Sequence, residues 1–344
     1  MRAFSCPTCR RLVPFEATRC LHCGTELGLD WDRREIVALT GRHRCANREL
    51  AACNGLVDER GALCASCSRT RTRPADGDTA GLAGFPVAEA AKRRLLFELG
   101  ELRLPVTGAG TAVGGLRFDL LSSAGGAGGG VVTGHADGLI TLDLAETDPA
   151  HRESMRQQLH EPYRTVLGHL RHEVGHYYEA VLVPDGSPEQ ERTRAVFGDE
   201  RADYQQAMDR HYAQGAPPDW PERFVSAYAT MHPWEDWAET FAHYLHIRDA
   251  LQTAAAYGVR VDGPAVPTTD SAPLRTGPVS AAPPADVNEM LDAWLPLTYA
   301  LNALNRSMGA GDLYPFVLAP AVVDKLAHVD ELVRAAASER LGTA

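Results

Sequence analysis

The chain has 344 residues, 44% hydrophobic and 23% charged, which excludes a disordered or fibrous polymer and leaves room for two or three domains or one large domain with an appendage. No apolar run reaches the roughly 18 residues of a membrane span, and Met1–Cys9 lacks the apolar stretch of a secretion signal, so a reducing cytoplasm is the expected compartment. The net charge of −11 is uneven: residues 1–76 hold 13 Arg and no Lys against 9 acids, so the remainder carries −15 and is a poor match for a phosphate backbone.

All eight cysteines lie between residues 6 and 67, which in a cytosolic chain points to metal and not to disulfides. Cys6-Pro7-Thr8-Cys9 and Cys20-Leu21-His22-Cys23 are C-x-x-C knuckles ten residues apart, the spacing of a four-thiolate structural zinc site. Cys45, Cys53, Cys64 and Cys67 make a looser second set, and a cross-braced pairing would use the same eight residues. Iron in a rubredoxin-like site is a minor alternative. Residues 1–73 thus read as a double zinc-ribbon domain, four cysteines to each site, with little core, for which metal supplies folding energy. Each four-thiolate zinc unit carries about −2, so two of them cancel the +4 of this segment. That makes nucleic acid an unlikely partner despite the clusters Arg10–Arg11, Arg33–Arg34 and Arg69–Arg73, and favours docking of a protein or presentation of a substrate.

Residues 74–84 read as a linker. A helix is expected over 86–101, with Val87, Ala91, Leu95 and Leu99 on one face, then strands at Leu116–Leu121 and Leu139–Leu144 around a small-residue loop, Ser122–Gly130. Helices follow at 149–158, 162–182, 187–213 with a break near Gly198, 221–229 and 233–252. A loop or linker spans 258–284, and 285–340 is helical with a break at Ser307–Asp312. The fold class is therefore α+β and mostly helical, with a small sheet in a domain covering 85–344.

The chemistry concentrates in His172-Glu173-Val174-Gly175-His176, a His-Glu-x-x-His motif in an amphipathic stretch that Pro162 would open. Residues i and i+4 share a helix face, so His172 and His176 can reach one zinc ion at about 2.0–2.1 Å. Zinc draws the pKa of a water toward about 7, and Glu173, one residue along, is placed to take its proton as general base. A chance match to five residues is on the order of a few per cent in a chain with 13 His, so a third ligand is the discriminating requirement.

The segment His232-Pro233-Trp234-Glu235-Asp236-Trp237-Ala238-Glu239 supplies it. Pro233 suits a first helical turn, and Glu235 and Glu239 are i, i+4. Glu235 is assigned as third ligand, and Glu239 as the carboxylate that accepts the free N–H of a zinc-held imidazole. Glu239, His243 and Asp199 compete as ligands. Asp199 reads better as a partner of a ligand or as a helix cap, and Tyr228 as a donor to the oxyanion or a packing residue. His169, His211 and His246 read as ordinary structural or surface residues.

These residues resemble a known family. The paired cysteine knuckles, His172–Tyr178, His232–Leu245, Asn305–Gly309 and Tyr314–Phe316 are similar to the bacterial zinc-binding metallopeptidases with an N-terminal zinc ribbon, and more broadly to the gluzincins, whose third ligand is a Glu on a later helix. The resemblance implies a zincin-like fold: a small sheet, an active-site helix and a helical lower half, with the strand at 139–144 as the edge that pairs with an extended substrate. The expected protein is a zinc metallopeptidase with one catalytic and two structural Zn2+, acting on a peptide or protein. The alternatives are a non-catalytic zinc-binding interaction module and a nucleic-acid-associated regulator working through the ribbon.

Overall fold

The computed structural model describes residues 1–107, 114–123, 130–131, 133–158, 164–263, 275–276 and 284–342. The chain divides into a unit of Ala3–His160 with Arg164–Tyr177 and a unit of Tyr178–Ala344 with Met1–Arg2.

The first unit opens with three short antiparallel ladders. They are β1 (Phe4–Ser5) with β2 (Leu12–Val13), β3 (Leu27–Asp30) with β4 (Glu35–Ala38), and β5 (His43–Arg44) with β6 (Leu56–Val57). The chain then forms β7 (Thr70–Thr72), which pairs parallel with β8 (Arg117–Leu121). β9 (Gly134–Ala136) and β10 (Leu139–Asp143) form a hairpin whose two turn residues, Asp137 and Gly138, have φ of 47° and 80°. Two positive φ angles on Asp-Gly are the pattern of a type I′ turn, whose twist matches that of paired strands. β10 also pairs parallel with β8, so the sheet order is β7-β8-β10-β9. The strand expected at the edge, 139–144, is therefore an inner strand; β9 covers it and is itself the edge.

Helix α1 (Thr79–Glu101) is capped by Asp78, whose carboxylate accepts from the Gly81 amide. It begins inside the stretch read as linker. Phe85, Ala88, Leu95 and Leu99 of α1 and Phe118, Leu120, Ile140 and Leu142 of the sheet are buried, while Val87 is 47% exposed. The expected face ran in steps of four residues; each step overshoots a 3.6-residue turn by about 40°, so three steps carry Val87 off the face that holds Leu99. A 3-10 turn (Leu144–Thr147), α2 (Pro149–Gln158) and α3 (Val166–Leu182) follow, and α3 runs on past Tyr177 into the residues of the other unit. Pro162, the expected opener of this helix, and the loop residues 124–129 lie outside the described residues.

The second unit is helical. α4 (Pro188–Phe197) and α5 (Tyr204–Gln214) are separated at Gly198, whose φ of 104° suits only glycine, so the expected break is there. The helix expected at 221–229 is instead two 3-10 turns, Trp220–Glu222 and Tyr228–Thr230. Ser226 Oγ accepts the Ala229 amide at 3.1 Å, a local bond that competes with helix continuation. α6 (Pro233–Ala256) starts at the His232 cap, whose Nδ1 accepts from the Trp234 amide, with Pro233 in the first turn. α7 (Val287–Ser307) and α8 (Pro320–Gly342) complete the unit, and α4, α6 and α7 all pack on α8. The break between α7 and α8 is wider than expected, because Asn302 bonds the backbone N–H and C=O of Tyr314 and holds that loop against α7. Of the stretch 258–284, residues 264–274 and 277–283 lie outside the described residues.

Candidate metal centres and active site

The ribbon cysteines form two tetrads, Cys6, Cys9, Cys20, Cys23 and Cys45, Cys53, Cys64, Cys67, with the sulfurs of each set within 4.8 Å of one another. The pairing follows chain order and is not cross-braced. Zinc–thiolate bonds of about 2.3 Å in a tetrahedron put neighbouring sulfurs about 3.8 Å apart. The Cys6–Cys23, Cys9–Cys20 and Cys53–Cys64 sulfurs are each 3.6 Å apart. The Gly55 amide donates to Cys53 Sγ and the Cys64 amide to Cys45 Sγ, both at 3.3 Å, as backbone groups do around thiolates carrying charge. Hydrogen bonds from the Thr25 hydroxyl and its amide draw the Cys23 thiol down to about 6. The donor set and its spacing fit zinc.

α3 brings His172, Glu173 and His176 into a buried environment. The two imidazole rings stand 4.9 Å apart, edge to face, as i, i+4 spacing requires. Burial alone would raise the Glu173 carboxyl, but its hydrogen bond to His169 and the nearby His172 and His176 rings hold it below its ordinary value. Its Oε1 lies 3.2 Å from His169 Nε2, while its buried Oε2 has no hydrogen-bond partner among the described residues. His169 reaches back with Nδ1 to Glu146 Oε2 at 2.6 Å. Burial opposes a charge on His169, yet the two flanking carboxylates outweigh it and push the imidazole up to about 9. His169 thus bridges the motif's glutamate and Glu146. On β9, His135 stacks 6.5 Å from the His176 ring, and burial with the neighbouring imidazole takes it down to about 4. Its Nε2 accepts the Gly138 amide at 3.0 Å.

In the second unit, α6 carries Glu235 and Glu239, four residues apart. Tyr204 Oη donates to Glu235 Oε1 at 2.9 Å, and Ser226 Oγ to Glu239 Oε2 at 2.6 Å. Tyr228 sits in the 3-10 turn before α6. Burial, and then the negative charge of Glu235, raise its hydroxyl far above its ordinary value and keep the proton on it. Glu179, on the last turns of α3, is pushed up to about 8 by burial and by the carboxylates of Glu200 and Glu235. Asp199 is exposed and grips Arg201 through both carboxylate oxygens, and α5 is capped by Asp203 and not by Asp199. His243, a competing ligand, is buried and faces Tyr314 Oη at 2.8 Å.

Residues 82–332 match the model of a family described as "Putative zinc-binding metallo-peptidase", and residues 3–78 match that of a zinc-ribbon domain. The chain belongs to that metallopeptidase family. Relatives from Mycobacterium bovis and Mycobacterium tuberculosis, each described as an uncharacterized protein, are 50% identical over 339 residues, covering 97% of this chain and 95% of theirs. No solved structure matches. Among the described residues no helix is long and apolar enough to cross a membrane.

His169 reads as an ordinary residue in the sequence, and His135 and Tyr204 are not singled out there. His169 carried a signal, since it precedes Glu173 by one helical turn. Asp137-Gly138 marked the hairpin that holds His135. Tyr204, 31 residues before Glu235, carried none.

Proposed function

We propose that the protein is a zinc-dependent peptidase. His172, His176 and Glu235 hold one catalytic zinc, Glu173 is the general base, and the two cysteine tetrads hold structural zinc. The observation that carries the reading is the state of Glu173: a buried carboxylate flanked by two imidazoles, with Oε1 held by His169 and Oε2 unpartnered among the described residues. A purely structural metal site has no use for such a group. The case for Glu235 as third ligand rests on its own setting: a buried carboxylate in the first turn of α6, four residues before a second acid. Tyr204 orients the Glu235 carboxylate, and Glu239 accepts the N–H of a ligating imidazole.

Zinc in this site would polarise a peptide carbonyl and make a water acidic enough to surrender its proton near neutral pH. Glu173 Oε2 takes that proton and returns it to the departing amine. Tyr228, held protonated, donates to the oxygen on which charge develops. An extended peptide would add to the outer edge of β9 by backbone pairing. The ribbon's eight thiolates suit a reducing cytoplasm, and its exposed loops suit a protein partner better than nucleic acid.

Elemental analysis with turnover of a peptide mixture tests the reading. About three zincs per chain are expected, falling to about two in Glu235→Ala. Glu173→Gln should keep all three and lose roughly 10²–10⁴-fold in rate. Two zincs in both wild type and Glu235→Ala would overturn it in favour of a non-catalytic zinc-ribbon protein.

A further inference from the structure

The geometry points to His169 as a positioning residue for Glu173: it fixes Oε1 so that Oε2 alone is presented to the reacting water, and Glu146 in turn fixes His169. This rests on Glu173 being the general base.

The path is continuous within one unit. The Asp143 amide at the end of β10 donates to Thr133 Oγ1 at 3.1 Å. Thr133 Oγ1 donates to Glu146 Oε1 at 3.1 Å. Glu146 Oε2 accepts His169 Nδ1 at 2.6 Å, and His169 Nε2 faces Glu173 Oε1 at 3.2 Å. Arg164 adds its guanidinium 3.6 Å from Glu146. Glu146 is 5% exposed and its carboxyl is held below its ordinary value: burial would raise it, but the bond and charge of His169, with Arg164 and Thr133, together outweigh this. An imidazole between two carboxylates donates from both nitrogens, so it cannot rotate without losing a charge-assisted bond at each end. A glutamate with three rotatable bonds is thereby restricted at one oxygen. Orientation of this kind is where groups that touch neither metal nor substrate influence rate, by about 10–100-fold. Glu173 Oε1 is occupied by His169, and Oε2 has no hydrogen-bond partner among the described residues.

The test uses the full-length, zinc-loaded protein and acetohydroxamate. This probe chelates zinc through its oxygens and shares its proton with an adjacent carboxylate. Its affinity, measured by calorimetry, therefore reads the Glu173 orientation without turnover. His169→Ala should keep the wild-type zinc content and bind acetohydroxamate at least tenfold more weakly, with kcat on a peptide falling about 10–100-fold at unchanged KM. His169→Gln, which retains one N–H donor, should recover most of the loss, and Thr133→Val, a milder change farther along the path, should show a smaller one. Binding by His169→Ala within twofold of wild type, while Glu173→Gln binds weakly, overturns this inference and leaves the peptidase reading intact. Wild-type protein that holds its zinc but does not bind acetohydroxamate overturns both.

Discussion

Lys325→Met should destabilise the helical unit strongly, and more so at alkaline than at acid pH. Lys325 Nζ lies 2.6 Å from Asp236 Oδ2 and 2.7 Å from the Arg223 carbonyl, and 4.2 Å above the Phe224 ring. Asp236 is fully buried, and its Oδ1 has no partner among the described residues. Removing the cation leaves that carboxylate without compensation, which costs about 3–5 kcal/mol. For a unit of this size that corresponds to a melting temperature lower by roughly 6–20 °C. Burial already raises Asp236 to about 7, against the lowering effect of Lys325. A carboxyl with a raised folded pKa contributes stability that is fully present below its unfolded value near 4 and is lost as pH rises through about 7. Without Lys325 the folded pKa climbs further. Near pH 5 Asp236 is then protonated with or without the lysine, and the variant loses only hydrogen bonds and the ring contact, about 1–2 kcal/mol. Between pH 5 and 8 the deficit should grow by up to about 1.4 kcal/mol, the linkage limit for a wild-type carboxyl near 7, read by urea denaturation at the two pH values. The double variant Lys325→Met with Asp236→Asn should regain most of the loss. An equal deficit at both pH values, or no rescue by the added Asp236→Asn change, would refute the claim that an unpaired buried charge is the cause.

Gly55→Ala should disturb the second tetrad, because an added Cβ would stand 2.7 Å from Cys64 Sγ and 2.8 Å from its Cβ; zinc bound by thiolates, released with a mercurial and measured colorimetrically, should fall toward one per chain. Tyr204→Phe removes the hydroxyl held by Glu235 Oε1 and should weaken retention of the proposed catalytic zinc about 10–100-fold against a competing chelator, with the thiolate sites unaffected. Mild chelation should strip the same ion and leave the ribbon's zinc in place, so the zinc that a mercurial then releases should stay at about two per chain.

Much of this was readable from residues alone because the signals were local. The motif on α3 is a matter of i, i+4 spacing and the first tetrad of knuckle spacing, while Gly198 and Pro233 mark helix ends through the backbone angles they allow. What failed depended on distance. Asp199 looked like a helix cap, but Asp203 competes for the same role, and which one wins depends on where α5 docks. Glu146 precedes His169 by 23 residues, and nothing in either neighbourhood announces the pairing. The reading of 74–84 as linker gave weight to its Asp-Gly-Asp composition and overlooked Asp78 as the cap of α1.

The cysteine-rich segment is the foundation of the sheet as much as an appendage to it. Arg93 of α1 donates to the Ala51 and Ala52 carbonyls, Phe97 packs at 5.1 Å on Phe15 and 5.7 Å on Phe4, and Arg34 pairs with Glu101 at 2.8 Å. Directly after Cys67, Arg69 donates to the carbonyls of Val106 and Leu116, Arg71 pairs with Asp119 of β8, and β7 joins the sheet. Cys67 itself faces the fully buried Glu89, which pairs with Lys92 at 2.6 Å. The same sheet carries His135 on β9 and leads through Asp143 and Thr133 to Glu146, His169 and Glu173. Loss of the second tetrad's metal should therefore loosen β7 before it loosens β10, and the effect on Glu173 should arrive through Glu146. A mercurial titration that releases thiolate zinc should thus lower acetohydroxamate affinity in the wild type while leaving it unchanged in His169→Ala, where the path is already cut. Equal loss in both proteins would mean that the ribbon and the base share a unit but not a mechanical connection.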